Sequence, residues 1–307
     1  MRSIIYSILL YVGICCSLQA QEAKTEELSK QLQSISSSTQ WELMDIVPLS
    51  FKTHHTQGML KIGETFFLTA VQVTRPPKYK GKGDKRTIQD EGTGIGYLFH
   101  FDKKGNLLKQ IELHEGAAIH PGGMDYDGEY IWIPITKYYP HSESIIVRVN
   151  PTTYKVEKMA TIDDSVGAII HDTDNHTLIG MNWDARDFLY WPLNERKEIL
   201  YPEKKAKDIR VSNSQSKMAI QDSKYIGQNQ LLGFGITNVQ GKRIGGFEIR
   251  DTRSQALLHQ TPIFLKTTKG ISMTNNPCTV ELTAEGLRFY FIPEDNLSTL
   301  YIYKLKE

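Results

Sequence analysis

From Trp41 onward the apolar residues fall in short runs rich in Val, Ile, Tyr, Phe and Trp, and each run stops at Gly, Asn, Asp or Pro. Runs of that length with that punctuation predict β-strands joined by tight turns. No stretch beyond residue 40 sustains a 3.6-residue apolar period, so no long helix is expected there. The turn residues also act as rulers. His55, His120, Gly167, Gln221 and Cys278 each lie eight residues before a turn residue, at Gly63, Gly128, Asn175, Asn229 and Gly286, and a strand-like run follows each turn. These units recur at intervals of about 45 to 65 residues. That interval suits a four-stranded sheet with its turns, and five units predict an all-β, five-bladed propeller. Six blades and an irregular sandwich are the competing arrangements. The fifth unit has only three strands, and the segment Glu42–Phe51 is expected to supply the fourth, closing the ring and hiding both sheet edges.

The beginning of the chain has a different texture. Arg2, an apolar run from Ile4 to Leu18 and a small residue at Ala20 form the pattern of an export signal over residues 1–20. A retained membrane anchor is the alternative, but the run is short for a spanning helix. Residues 21–40 read as a polar leader, mobile or briefly helical, without a core role, and residues 41–307 as a single propeller domain. Export implies a periplasmic or secreted protein. Removal of the signal would leave Cys278 alone, so the core and not a disulfide must hold the fold. No other run is long or apolar enough to span a membrane.

Composition removes several function classes. The 307 residues include 36 Lys and Arg against 35 Asp and Glu, which gives no basic field for bulk nucleic-acid binding. At 40% hydrophobic and 23% charged, the chain is not disordered.

In a propeller, the loops leading into the innermost strands share a face with the loops joining second to third strands. That rule gathers His54, His55, Gln57, His120, Asp222, Asn276 and Cys278 with Tyr138, Tyr139, Trp183, Arg186, Arg243, Glu294 and Asp295. His55 and His120 occupy equivalent places in successive units. They could act as acid and base, hold a divalent metal with Asp222, or simply pack the channel wall. Arg186 as an anion clamp, with Tyr138 or Tyr139 as proton donor beside His120, would suit β-elimination from uronates. Gln57, Trp183, Asp222, Asn276, Glu281 and Arg243 are the candidate substrate contacts. Carboxylates for glycoside hydrolysis could come from Asp222, Glu281, Glu294 and Asp295, although Pro293-Glu294-Asp295-Asn296 also reads as a solvated turn.

Arg75, Lys78, Lys80, Lys82, Lys85 and Arg86 form a basic run that is either a solvated loop or a lid attracting anions. The glycines of His120-Pro121-Gly122-Gly123 would let a ligand approach the backbone closely. Cys278 reads as core filler.

The longer motifs are His55-Thr56-Gln57-Gly58, His120-Pro121-Gly122-Gly123-Met124-Asp125-Tyr126-Asp127-Gly128 and Gly180-Met181-Asn182-Trp183-Asp184-Ala185-Arg186. With Met273-Thr274-Asn275-Asn276-Pro277 and Phe291-Ile292-Pro293-Glu294-Asp295-Asn296-Leu297-Ser298-Thr299, they resemble a family known only as domain of unknown function 6454. The resemblance runs from about Trp41 to the C-terminus and implies a propeller-like fold with no established activity. In that family a histidine often follows the aspartate where this chain has Asp164-Ser165, which counts against a three-histidine site. More weakly, His55-Thr56-Gln57-Gly58 is similar to the Phe-Thr-Gln-Gly opening of the propeller glutaminyl cyclases. Two functions follow from these readings. One is an exported propeller that binds a polar, anionic small molecule or carbohydrate at its mouth and processes it by hydrolysis or elimination. The other is a non-catalytic recognition or scaffold module holding a protein or glycan on the same face, which a shallow mouth would favour.

Overall fold

Alternating apolar positions pair into five four-stranded antiparallel sheets arranged around a ring. The computed structural model describes residues 22–81 and 87–306. The expected export signal at 1–20 and the Lys82, Lys85 and Arg86 portion of the basic run lie outside the described residues.

Blade 1 runs His55–Ile62, Thr65–Arg75, Thr93–Asp102 and Leu107–Glu112 from the axis outward. Blade 2 is Ala118–Pro121, Ile131–Lys137, Ser144–Val149 and Val156–Ile162, with Asp125–Tyr126 also paired to its second strand. Blade 3 is Val166–Asp172, Thr177–Asn182, Asp187–Pro192 and the short Arg210–Ser212. Blade 4 is Ala219–Tyr225, Gln230–Val239, Lys242–Asp251 and Leu257–Ile263. Blade 5 takes Cys278–Thr283, Gly286–Phe291 and Thr299–Leu305 from the end of the chain and Trp41–Pro48 from its beginning. Leu43 lies opposite Tyr303 in that closing pair, which has a bulge between Leu43 and Asp45. The fold is therefore the five-bladed propeller that the turn spacing predicts, closed by the N-terminal strand.

The core lies between neighbouring blades. Phe66, Phe99 and Phe101 of blade 1 meet Tyr290 and Ile292 of blade 5, and Trp132 of blade 2 meets Leu178 and Trp191 of blade 3. The polar leader is helical, one of the two forms expected, but it departs from expectation in having a core role. Residues 22–34 form a helix, and Leu32 and Ile35 are buried against Phe234, Phe247 and Phe289 at the junction of blades 4 and 5. Leu28, Leu32 and Ile35 recur at helical spacing, so one apolar stripe docks the helix, and Ser29 adds a 2.6 Å hydrogen bond to Gln230. Among the described residues, no helix is long and apolar enough to cross a membrane.

The axis is held by polar groups. Asp222 is fully buried and accepts hydrogen bonds from Met59 N in blade 1 (2.8 Å), Met124 N in blade 2 (3.2 Å) and Ser223 N in its own strand (2.9 Å). Lys224 Nζ completes the set at 2.7 Å and also donates to Met124 O. One carboxylate thus ties three blades together. The Gly122-Gly123 pair serves the same closeness: a Cβ on Gly122 would collide with the Gly167 carbonyl, and one on Gly123 would lie 2.8 Å from the Ala168 Cβ. These glycines admit blade 3, not a ligand.

Candidate functional site

The turns that end the second strands and begin the innermost ones bring residues from four blades to one mouth. His55 opens the innermost strand of blade 1, and its Nδ1 lies 3.0 Å from Asp295 Oδ1, supplied by blade 5 across the closure. Asn276 Nδ2 donates to the same oxygen at 3.0 Å. Gln57 Nε2 lies 2.8 Å from His55 Nε2 and donates to Thr56 O. A carboxylate only accepts, so the His55 proton sits on Nδ1 and its Nε2 lone pair receives the Gln57 amide. Both ring nitrogens are therefore held.

His120 lies beside this row. Its ring centroid is 6.0 Å from that of His55, 4.8 Å from Tyr138 and 6.4 Å from Trp183, the last nearly stacked. Burial, with His55 nearby, pushes its pKa down to about 3, so the ring is neutral at physiological pH. Its Nδ1 is buried without a hydrogen-bond partner among the described residues. Tyr138 is raised above the usual phenol range by burial and then by Asp295 and Tyr79. An open depression of about 430 Å³ is lined by His54, His55, Tyr138, Asp295 and Asn296, with Lys52 at its rim.

Other candidates are engaged elsewhere. The Arg186 guanidinium donates to the carbonyls of Asp184, Ser216 (3.4 Å) and Met218 (2.8 Å), so it clamps backbone and not an anion. Tyr139 donates to Glu91 at 2.6 Å, as does Lys137 at 2.8 Å, and burial and Glu91 raise the Tyr139 pKa strongly. Arg243 is exposed and bonds Asn275 Oδ1 at 2.8 Å. Glu281 lies along the innermost strand of blade 5, paired with Lys61 at 2.8 Å and bonded by the Tyr290 hydroxyl. Asp222 is spent on the axis, which removes it as a metal ligand or a substrate contact. Among the described residues no three His, Cys, Asp or Glu side chains gather into a set that could hold a metal ion. Glu294 bonds Tyr301 through Oε1 at 2.8 Å. Cys278 is fully buried, and burial raises its thiol pKa well above the ordinary value. Of the basic run, Arg75 is paired with Asp90, and Lys78–Lys80 forms a small hairpin with Thr87–Asp90.

The mouth thus keeps His55, His120, Tyr138, Trp183, Gln57 and Asn276 together. Sequence reasoning passed over Asp295 as the partner of His55 and Glu91 as the anchor of Tyr139. The loop rule already placed Asp295 at this face; the missing signal was that the ring closure sets blade 5 against blade 1.

Such a molecule is a five-bladed β-propeller whose mouth is lined by histidine, aromatic and amide groups. A model of a family of unknown function (DUF6454) matches residues 9–306, and the chain belongs to that family. No match is found among curated proteins. Among solved structures, the mannose phosphorylase MPT-4 from Leishmania mexicana, in complex with phosphate, aligns with a TM-score of 0.51 at 10% identity, covering 95% of this chain and 96% of its own. Glutaminyl cyclase from Myxococcus xanthus aligns at 0.48 and 10% identity over 87% of this chain and 97% of its own. Regucalcin from Agrobacterium tumefaciens, a calcium-binding protein, aligns at 0.47 and 11% identity over 82% and 90%. At such identities the phosphorylase likeness speaks for the fold alone.

Proposed function

We propose that the mouth binds a small hydroxyl-rich ligand of the carbohydrate class. The observation that carries this reading is His120, a neutral ring buried under the mouth with an unpartnered Nδ1, set between Tyr138 and Trp183. Aromatic faces suit the C–H faces of a sugar ring, while Gln57 and Asp295 supply the amide and carboxylate partners that hydroxyls need, with Asn276 holding Asp295 in place. A neutral ligand is favoured over an anionic one: Asp295 lines the depression, and Arg75, Lys137 and Arg186 are already engaged, which leaves Lys52 as the cation of its lining. The depression, which shares His55, Tyr138 and Asp295 with this set, falls in the range of about 300–1,000 Å³ common to small-molecule sites.

The His55–Asp295 contact at 3.0 Å favours a second reading, acid–base chemistry on that ligand. A ligand hydroxyl that displaced the Gln57 amide would meet the Nε2 lone pair, with Asp295 holding the imidazolium that forms. Neutral His120 would then act as a hydrogen-bonding group. With the export signal expected over residues 1–20, the site would work in the periplasm or outside the cell.

The test is calorimetric titration of the full chain with neutral mono- and disaccharides and with uronates. A neutral sugar should bind, and Trp183→Ala and His120→Gln should each weaken it at least tenfold while the melting temperature stays within a few degrees. Uronates binding better than neutral sugars would overturn the ligand class. Binding indifferent to both substitutions would overturn the site. Release of product from the bound sugar, lost in His55→Ala, would establish the second reading.

A further inference from the structure

The face opposite the mouth carries a second concavity that the proposed function does not use. Turns ending the innermost strands of blades 2, 3 and 4 form its floor, and the beginning of the 22–34 helix forms a wall. Its volume is about 780 Å³.

His171, at the end of the innermost strand of blade 3, is the informative residue. It is 2% exposed, and its Nδ1 lies 2.8 Å from Asp127 Oδ2. Burial alone would raise the Asp127 pKa. Hydrogen bonds from His171, from Trp132 and from the backbone N–H groups of Tyr130 and Glu129 instead hold it well below the usual carboxylate range. A carboxylate in that state only accepts, so Nδ1 carries a proton, and in the singly protonated ring Nε2 is a lone pair. His171 lines the cavity, and its Nε2 is buried with no partner among the described residues.

The rest of the lining also accepts more than it donates. Asp174 is a carboxylate, bonded by the Tyr225 hydroxyl, and Glu22 and Glu26 face the same space from the helix. The Tyr126 hydroxyl already donates to Gly128 O at 2.7 Å. Lys24 is the one basic residue of the lining, and nearby Lys197 is spent on Asp127 and Glu129, each at 3.0 Å. Glu22, Glu26, Asp127 and Asp174 thus outnumber the single cation Lys24, and the lining carries a net negative charge. With no gathered set of three metal-binding side chains among the described residues, an organic cation fits better than a metal ion. The rings of Tyr126 and Tyr225 offer further faces to a cation.

We propose that this cavity is a second ligand site, taking a small alkylammonium whose N–H is received by His171 Nε2 and whose charge is balanced by Asp174 and the helix carboxylates. The occupant would bridge blades and leader helix, so binding and docking of residues 22–34 are coupled.

The test titrates 1,4-diaminobutane into the full chain by calorimetry, with 1,4-butanediol as the uncharged match and succinate as the anionic control. Saturable binding of the diamine alone is expected, weakening as salt rises. Asp174→Asn should weaken it at least tenfold in a protein that melts normally. His171→Phe should do the same, and because His171 packs against Trp132, Asp174→Asn is the variant that decides if His171→Phe does not fold. No diamine binding, which would leave the cavity to water only, overturns the proposal. So does binding of the diol as tight as that of the diamine, or diamine affinity unchanged in Asp174→Asn.

Discussion

Replacing Asp222 with Ala should cost several kilocalories per mole of stability, because this carboxylate is structural. The substitution removes the acceptor of three buried backbone N–H groups and the counter-charge of Lys224, which is 8% exposed. Stranding one member of a buried ion pair costs about 3–5 kcal/mol. Each buried donor left unsatisfied costs a further ~1–3 kcal/mol, although water entering the gap recovers part of that. A net loss of at least about 4 kcal/mol is expected, a large share of the roughly 5–15 kcal/mol that domains possess. Lys224 keeps the carbonyls of Met124 and Ser223, so Asp222→Ala/Lys224→Met should be less damaging than the two single changes added together. Urea denaturation of the wild type, both single variants and the double variant gives the coupling directly. A loss under about 1 kcal/mol in Asp222→Ala, or strict additivity in the double variant, would refute the reasoning.

Three further outcomes are expected. Asp125 is fully buried, and burial raises its pKa from 3.8 to about 7 against the pull of Lys224. The folded state then holds a proton that the unfolded chain has released, so stability should fall by about 4 kcal/mol as pH rises from about 4 through 7. Asp125→Asn should flatten that slope in denaturation series at stepped pH. Leu32→Ala should cost about 2–5 kcal/mol by chemical denaturation, as for a core residue, although the segment is polar overall. Gly122→Ala should lower the melting temperature by several degrees in a thermal scan, because the opposing Gly167 carbonyl belongs to another blade and cannot yield cheaply.

Blade number and strand order were legible because they depend on turn chemistry and on alternation, both local, and closure was legible because the fifth unit lacks a strand that only the chain's beginning offers. The mouth was legible as far as topology carries: His55, His120, Tyr138 and Trp183 meet because equivalent loops share a face. Arg186, Glu281 and Asp222 follow the same rule or lie close to it, yet local partners take them. Backbone carbonyls capture the guanidinium, Lys61 captures Glu281, and the ring axis captures Asp222. Pattern reading does not reveal such captures, which depend on side-chain direction and on which blade lies opposite. The core role of the helix at 22–34 hid for another reason: three apolar residues in a polar stretch make a weak signal until a hydrophobic junction exists to receive them.

The closing pair between Trp41–Pro48 and Thr299–Leu305 has a temporal consequence. Leu43 and Tyr303 are separated by about 260 residues, so joining them costs roughly 5 kcal/mol of chain entropy from the length dependence alone. Blades 1 to 4 each draw their four strands from one continuous stretch and can assemble as the chain emerges. The opening strand must wait for the last one. Until then the backbone N–H and C=O groups of Trp41–Pro48 have no strand beside them, and a chaperone that shields this segment would act at a late, non-local step of maturation.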